Sequence, residues 1–274
     1  MPGILVYFEK KKDSEELQLL AESKGFWAKC TSDVDTAAGW LKSRRFDMAL
    51  VAASTPFSAQ QTLAGILWAK SPNANFFLYD LESGGEGRKL EARMSGAELI
   101  CGKEALAKKL ADYSPETGAE QTEFKIMLVE DLDSPREIIT SYIESIGYKH
   151  VLGVRRAKEA LAILKKEPDA YSCVLTDVKM PEMNGEELIT AIRADPDISH
   201  IPIIVITAIG TVDTLVGCLR AGASGFLLKP PKKGDLTREL ARAVRTCTEK
   251  LNPRMIGGDD ADAIRELLIS KGFN

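Results

Sequence analysis

The feature that most constrains this chain is a rhythm in its hydrophobic residues. Short apolar runs of β type alternate with longer stretches whose apolar residues recur at i, i+3, i+4 and i+7. In the first half the runs predict strands at Ile4–Phe8, Phe26–Cys30, Met48–Ala52, Asn75–Tyr79 and Glu98–Cys101, with helices near 13–24, 33–44, 58–70, 87–95 and 103–112. In the second half they predict strands at Lys125–Glu130, His150–Val154, Ser172–Thr176, Ile203–Thr207 and Gly225–Leu228, each followed by a helical stretch. Strand and helix in strict alternation specify an α/β fold built on a parallel sheet. Unbroken apolar runs such as IMLV and IPIIVI suit central strands covered on both faces.

Each half is thus a (βα)5 unit, and the second reads as a diverged copy of the first. Gly96-Ala97 and Gly222-Ala223 mark the same place, with Lys103 seven residues after one glycine and Lys229 seven after the other. A length of 274 residues suits two domains at about 150 residues each. The expected division is a first unit at 1–113, a polar, aperiodic linker at 114–123 (SPETGAEQTE), a second unit at 124–250 and a tail at 251–274. In the tail, NPRMIGGDD precedes a short helix, Ala261–Ser270, with Asp259 or Asp260 as its N-cap and Gly272 as its stop. Its Ile264, Leu267 and Leu268 are expected to dock on their own domain or on a sister chain.

Hydrophobic residues at 45% and charged residues at 28% exclude wholesale disorder, a collagen repeat or a coiled-coil rod. With 36 Lys and Arg against 40 Asp and Glu, the chain has no overall basic field, so no nucleic-acid partner is expected. Cys30, Cys101, Cys173, Cys218 and Cys247 are odd in number and hold no C-x-x-C pair, which argues against a disulfide framework or a zinc site. They read as reduced, mostly buried thiols. The first apolar run precedes its lysines, the reverse of a secretory signal, and no stretch reaches the ~18 apolar residues of a membrane span. A cytoplasmic location without membrane contact is the expectation.

In a parallel α/β sheet, ligands bind beyond the C-terminal ends of the strands. In the second half those ends carry Glu130-Asp131, Asp177, Thr207-Ala208 and Lys229-Pro230. Three carboxylates converging on one edge repel one another, a cost offset when a hard divalent cation sits among them, and Mg2+ is the natural choice. The Thr207 hydroxyl and the Lys229 ammonium add a donor and a positive charge. Together the set suits a group with several anionic oxygens, such as phosphoryl.

On these residues the second half resembles the response-regulator receiver (CheY-like) family of two-component signalling, from Phe124 to Lys250. The motifs are LVED at 128–131, TDVKMPEMNG at 176–185, VITA at 205–208 and GFLLKP at 225–230. The resemblance implies tandem flavodoxin-like doubly wound domains, with Asp177 as phosphoacceptor. It implies Mg2+ held by Asp131, Asp177 and the backbone carbonyl of Lys179, with Glu130 acting through a metal-bound water. Thr207, Ala208 and Lys229 would bind the phosphoryl oxygens, Thr207 and Phe226 would act as switch residues, and Lys229-Pro230 would be cis. Ile209, two residues past Thr207, is expected to narrow the path of an attacking water.

Aligning FDMALVA with YSCVLTD puts Ala52 opposite Asp177, with Ala53 the alternative register. Phe8-Glu9 replaces Glu130-Asp131 and Tyr79-Asp80 replaces Thr207-Ala208, while Lys103 is expected to keep the place of Lys229. The first half therefore reads as a pseudo-receiver, suited to docking or dimerisation, with Glu9 and Asp80 more simply solvated than cation-binding. The leading expectation is a regulator phosphorylated by a histidine kinase or phosphotransfer protein. It would signal to a downstream protein, or through a homodimer, by the face around Thr211–Ala221, Phe226 and Gly234–Lys250. A phosphorelay intermediate or phosphate sink is the alternative. The chain is not expected to be an enzyme on a separate substrate: a haloacid-dehalogenase-like phosphatase needs an acid where Lys179 stands, and no G-x-G-x-x-G marks a dinucleotide site.

Overall fold

Strands and helices form where the two periods place them, in a computed structural model that describes residues 1–71, 74–81, 85–113, 124–208, 210–248, 250–257 and 260–270. The chain divides into two compact units, Met1–Thr117 and Gly118–Asn274. The boundary falls in the expected linker, 114–123, which lies outside the described residues.

The first unit runs β1 (Gly3–Tyr7), α1 (Lys11–Ser23), β2 (Trp27–Thr31), α2 (Val34–Ser43), β3 (Met48–Ala52), α3 (Phe57–Lys70), β4 (Asn75–Asp80), α4 (Glu86–Ser95), β5 (Glu98–Cys101) and α5 (Lys103–Ala111). The second runs β6 (Lys125–Val129), α6 (Asp133–Ile146), β7 (His150–Val154), α7 (Ala157–Lys166), β8 (Cys173–Thr176), α8 (Gly185–Arg193), β9 (Ile203–Thr207), α9 (Val212–Ala221), β10 (Gly225–Leu228), α10 (Lys233–Thr248) and α11 (Ala261–Ser270). Each unit holds one five-stranded sheet, ordered β2-β1-β3-β4-β5 and β7-β6-β8-β9-β10, with every pairing parallel. Both are the flavodoxin-like doubly wound order.

Apolar side chains on central strands alternate between two helix layers, which explains their unbroken runs. Ile126 and Leu128 of β6 pack with Ile139 and Ile143 of α6 and Leu236 and Leu240 of α10. The first unit repeats this with Ile4 and Val6 against Leu17 of α1 and Leu106 of α5. β6 stops a residue before the expected Glu130 because the Glu130 carbonyl leaves the ladder for the Arg136 guanidinium, 2.8 Å away.

Helix α8 starts at a reciprocal cap: Glu187 N–H donates to the Asn184 side chain and Asn184 N–H to the Glu187 carboxylate, both at 2.9 Å. Helix α11 docks on α9 of its own unit, burying Ala261 and Ile264. Arg220 pairs with Asp262 at 3.1 Å, and Arg265 pairs with Asp213. Asp260 directly precedes the helix; Asp259, Gly272 and the side chains of Leu267 and Leu268 lie outside the described residues. All five cysteines are free, but only Cys173 and Cys218 are buried. Cys30, Cys101 and Cys247 are half-buried, which corrects the expectation of mostly buried thiols: Cys30 and Cys101 sit at strand ends, and Cys247 near the end of α10. No described helix is long and apolar enough to cross a membrane.

Candidate functional site

The sheet order makes β6 and β8 neighbours whose following helices depart to opposite faces: α6 packs with α10, and α8 with α7 and α9. The loops diverge there and leave a crevice at the strand ends. Glu130 and Asp131 enter it from β6, Asp177 from β8, Thr207 from β9 and Lys229 from β10. The five residues separated in sequence are thus brought to one edge.

Glu130 is 1% exposed and Asp177 8%, so both carboxylates are largely withdrawn from water. Lys229 Nζ lies 2.5 Å from Glu130 Oε2 and 2.8 Å from Asp177 Oδ2. The other Asp177 oxygen, Oδ1, accepts the Val178 N–H at 2.7 Å. Burial pushes the Glu130 carboxyl above the usual carboxylate range; the hydrogen bond and charge of Lys229 oppose that rise and Asp177 adds to it. Burial pulls the Lys229 ammonium down, but hydrogen bonds and attraction from Asp177 and Glu130 outweigh it, so its pKa is raised and its charge secured.

One ammonium does not balance the cluster. Oxygens of Glu130, Asp131 and Asp177 lie within 4.8 Å of one another, and they are the group of carboxylates so placed among the described residues. Glu130 Oε1 is buried without a hydrogen-bond partner there. An orphaned buried oxygen beside two further carboxylates is a donor set that fits a hard divalent ion with water in its shell.

Thr207 is 1% exposed, and its carbonyl accepts the Lys229 N–H at 2.8 Å, which locks the ends of β9 and β10 together. Ala208 and Lys179 are exposed at the rim, and Phe226 is half-buried in β10. The Lys229-Pro230 peptide is cis. Ile209 lies outside the described residues.

Sequence reasoning assigned no role to Gly185, although it quoted the motif that contains it. A Cβ there would stand 2.2 Å from the Asp177 carbonyl oxygen and 2.9 Å from Val178 Cα. The start of α8 therefore lies directly on the backbone of Asp177, with Gly185 N–H donating to the Val178 carbonyl at 2.9 Å. The glycine closing TDVKMPEMNG was the available signal.

The first unit bears out two expected correspondences, Phe8 with Glu130 and Ala52 with Asp177, and overturns two others. Phe8 N–H donates to Thr31 O as Glu130 N–H does to Val154 O, and β1 pairs Tyr7 with Val51 as β6 pairs Val129 with Thr176. Ala52 therefore holds the place of Asp177, and the Ala53 register is excluded. On the far side, β4 pairs Asp80 with Cys101 as β9 pairs Thr207 with Leu228. Asp80 thus stands where Thr207 does, in place of the expected Tyr79. Gly102 stands where Lys229 does, each donating its N–H to the facing carbonyl, at 2.9 and 2.8 Å. Lys103 is one residue too late: the first unit spends one residue fewer between its helix-ending glycine and its last strand, so equal spacing misaligned the lysines. Its ammonium pairs instead with exposed Glu16. Asp80 is buried and paired with Arg88 at 2.6 Å, and Glu9 is exposed, so they form no cation cluster among the described residues.

Comparison with known proteins agrees with this geometry. The family model for the response regulator receiver domain matches residues 126–241, all within the second unit. The chain is 31% identical over 116 residues to the chemotaxis protein CheY-3 of Vibrio cholerae, covering 42% of this chain and 88% of that one. It is 33% identical over 120 residues to the two-component response regulator ORR7 of Oryza sativa, covering 44% of this chain and 56% of that one. A solved receiver domain of a sensor histidine kinase from Pseudomonas aeruginosa, with a magnesium ion coordinated in its active site cleft, is 30% identical; the match covers 45% of this chain and 99% of that chain with a TM-score of 0.42. The chain belongs to the response regulator receiver family of two-component systems.

Proposed function

We propose that the second unit is a phosphorylation switch in which Asp177 accepts a phosphoryl group. The observation that carries this reading is the Lys229 ammonium bridging buried Asp177 and Glu130 beside Asp131. An Asp177 carboxylate oxygen attacks phosphorus in line; the bond from phosphorus to the donor nitrogen or oxygen breaks, and its electron pair leaves with the donor. The product is an acyl phosphate on Asp177. The protein has little covalent work in such a transfer, so positioning and charge stabilisation dominate.

Asp131 and Asp177 would hold Mg2+ directly, with the Lys179 carbonyl, and Glu130 through water. Bound there, the cation neutralises charge on the transferred oxygens. Lys229 stays protonated and follows one phosphoryl oxygen, the Thr207 hydroxyl donates to another, and the backbone after β9 at Ala208 closes the cradle. The added charge draws Thr207 inward and biases α9, five residues on, together with Phe226 in β10. The face of α9, β10 and α10 is then read by a downstream protein or a second copy. A histidine kinase or histidine phosphotransfer protein supplies the phosphoryl group, and the chain acts on no separate substrate. The first unit, lacking acceptor, lysine and hydroxyl, serves as a docking surface.

Incubation with acetyl phosphate and Mg2+, read by intact mass, tests this. One phosphoryl group on wild type and none on Asp177→Asn is the expected result. Equal labelling of both would overturn it, as would an unlabelled wild type that binds Mg2+ and also refuses phosphoryl transfer from histidine donors.

A further inference from the structure

The two carboxylates that close the acidic site from β6 are consecutive residues, so one peptide plane sets both directions. That plane lies between Glu130 and Asp131, and its oxygen is the Glu130 carbonyl. This carbonyl has left the strand ladder and accepts a hydrogen bond from Arg136 Nη1 at 2.8 Å, while Glu130 N–H donates to Val154 O at 3.0 Å. The residue is held on both sides, by the sheet and by a side chain from the first turn of α6.

Arg136 is itself held. Its Nη2 pairs with Asp133, and Asp133 accepts a second ion pair from Arg155, just past β7, at 2.8 Å. The hydrogen bond from Arg136, with Arg155 adding to it, keeps the Asp133 carboxyl below its usual range. The Arg136 stem crosses β7 at Gly153, where a Cβ would stand 2.9 Å from Arg136 Cδ. A glycine inside a strand weakens it and often marks a place where another group approaches closely. Here the approaching group is Arg136, whose side chain is 14% exposed.

We propose that Arg136 is a positioning residue for the cation site: it fixes the Glu130–Asp131 peptide plane, with Gly153 as the groove that admits it and Asp133 and Arg155 as its lateral brace. The inference rests on the reading of Glu130, Asp131 and Asp177 as a divalent-cation site. It adds a requirement that the three carboxylates alone do not state, because a free loop would spread like charges apart. Arg136 touches no ligand of the cation, and acts only through the backbone that carries two of them.

The test is Mg2+ binding by calorimetry on the full chain, with urea unfolding in parallel. Groups that orient metal ligands typically account for about 10–100-fold in affinity, so Arg136→Ala should weaken Mg2+ by at least tenfold. Arg136→Lys, which keeps the charge but loses the planar, two-pronged guanidinium that holds the carbonyl and Asp133 together, should fall between. Gly153→Val is the independent variant. It favours the strand, so urea resistance holds or rises, yet it crowds the Arg136 stem and should weaken Mg2+ severalfold. Acetyl phosphate labelling of Arg136→Ala should lag at low Mg2+ and recover to within about twofold at saturation, since the lost orientation costs cation affinity rather than phosphoryl chemistry. Wild-type Mg2+ affinity in both Arg136→Ala and Gly153→Val would overturn the inference and leave the site reading intact. Loss of affinity that tracks urea sensitivity across all three variants would overturn it as well, in favour of a merely structural role. A wild type that binds no Mg2+ would overturn the site reading itself.

Discussion

The two units share one sheet order and differ at their strand ends, and the difference is one of backbone as well as of side chains. In the second unit the ends of β6, β8, β9 and β10 present Glu130-Asp131, Asp177, Thr207 and Lys229. In the first the same ladder positions hold Phe8-Glu9, Ala52, Asp80 and Gly102. Where the second unit gathers three carboxylates, two of them buried, against one lysine, the first packs Phe8 edge-on to Tyr79 at 5.7 Å and ties Asp80 to Arg88. Both units hold the apolar core that makes the fold; among the described residues the cluster of carboxylates is in the second alone. The apolar pattern makes the fold in both units, while the chemistry a unit can do lies in the side chains its strand ends carry.

The largest effect should come from trying to erase that difference. Ala52→Asp restores the acceptor in the first unit, yet in an Asp177→Asn background it should take no phosphoryl group from acetyl phosphate. Neither Lys229 nor Thr207 has a counterpart there, and Phe8 replaces the buried Glu130. Intact mass decides the matter: labelling of the double variant would show that an aspartate on this sheet edge is sufficient by itself.

The two lysines differ just as sharply in their surroundings. Lys229 is 16% exposed and bonded to two carboxylates, whereas Lys103 is 48% exposed and paired with a Glu16 that is 54% exposed. Removing one member of a buried ion pair costs about 3–5 kcal/mol, whereas an exposed pair is screened by solvent and contributes far less. Lys229→Met should therefore lower the urea midpoint in Mg2+-free buffer far more than Lys103→Met. It should also bind Mg2+ more tightly than wild type, because the cation then meets the carboxylates without a competing ammonium. Equal losses for the two lysines would remove the distinction drawn between their environments.

Much of this was legible in the sequence, for identifiable reasons. The succession of strands and helices along the chain followed from two hydrophobic periods, and the doubly wound sheet order from the family resemblance; Glu130, Asp131, Asp177, Thr207 and Lys229 stood out because they fall at the C-terminal ends of strands. Lys103 was misplaced because spacing from a helix-ending glycine measures chain length, while a ladder measures register, and a turn one residue shorter separates the two. Gly185 and Gly153 were legible only as small residues: what they admit, the Asp177 backbone and the Arg136 stem, comes from segments 8 and 17 residues away. Arg136 itself looks like any helix-surface arginine until its carbonyl partner is seen.

Glycines sharpen the comparison on a smaller scale. A methyl group at Gly185 meets backbone on two sides, at 2.2 and 2.9 Å, so neither neighbour can swing away. Overpacking of this kind costs about 1–3 kcal/mol, and displacing the acceptor by even an ångström can slow the transfer on the order of 10²-fold. Gly102 has φ of 81° and ψ of 158° with open space around its would-be Cβ, so Gly102→Ala should cost only the strain of a backbone region open essentially to glycine, about 1–3 kcal/mol, and leave labelling unchanged. The same φ explains why a lysine grafted at 102 would not simply recreate Lys229. Wild-type labelling in Gly185→Ala would show that the contact with Asp177 is not a constraint on transfer.

The smallest effect concerns thiols, which report on the two units without touching the carboxylate cluster. In the second unit Cys173 and Cys218 are buried, and burial pushes the thiols of Cys218 and Cys247 up to about 12 and about 11. Because the thiolate is the reacting species, these groups should resist a disulfide reagent at pH 8. Cys30 and Cys101 of the first unit are half-buried at the ends of β2 and β5 and should react first. Two fast thiols, both lost in Cys30→Ser/Cys101→Ser, is the expected count, with Asp177 labelling unchanged by the modification. Cys101 directly precedes Gly102, at the position Leu228 holds beside Lys229. A modified Cys101 that slowed phosphorylation of Asp177 would mean that the degenerate strand ends still communicate with the intact ones, and the first unit would then be a regulator of the switch rather than a docking surface alone.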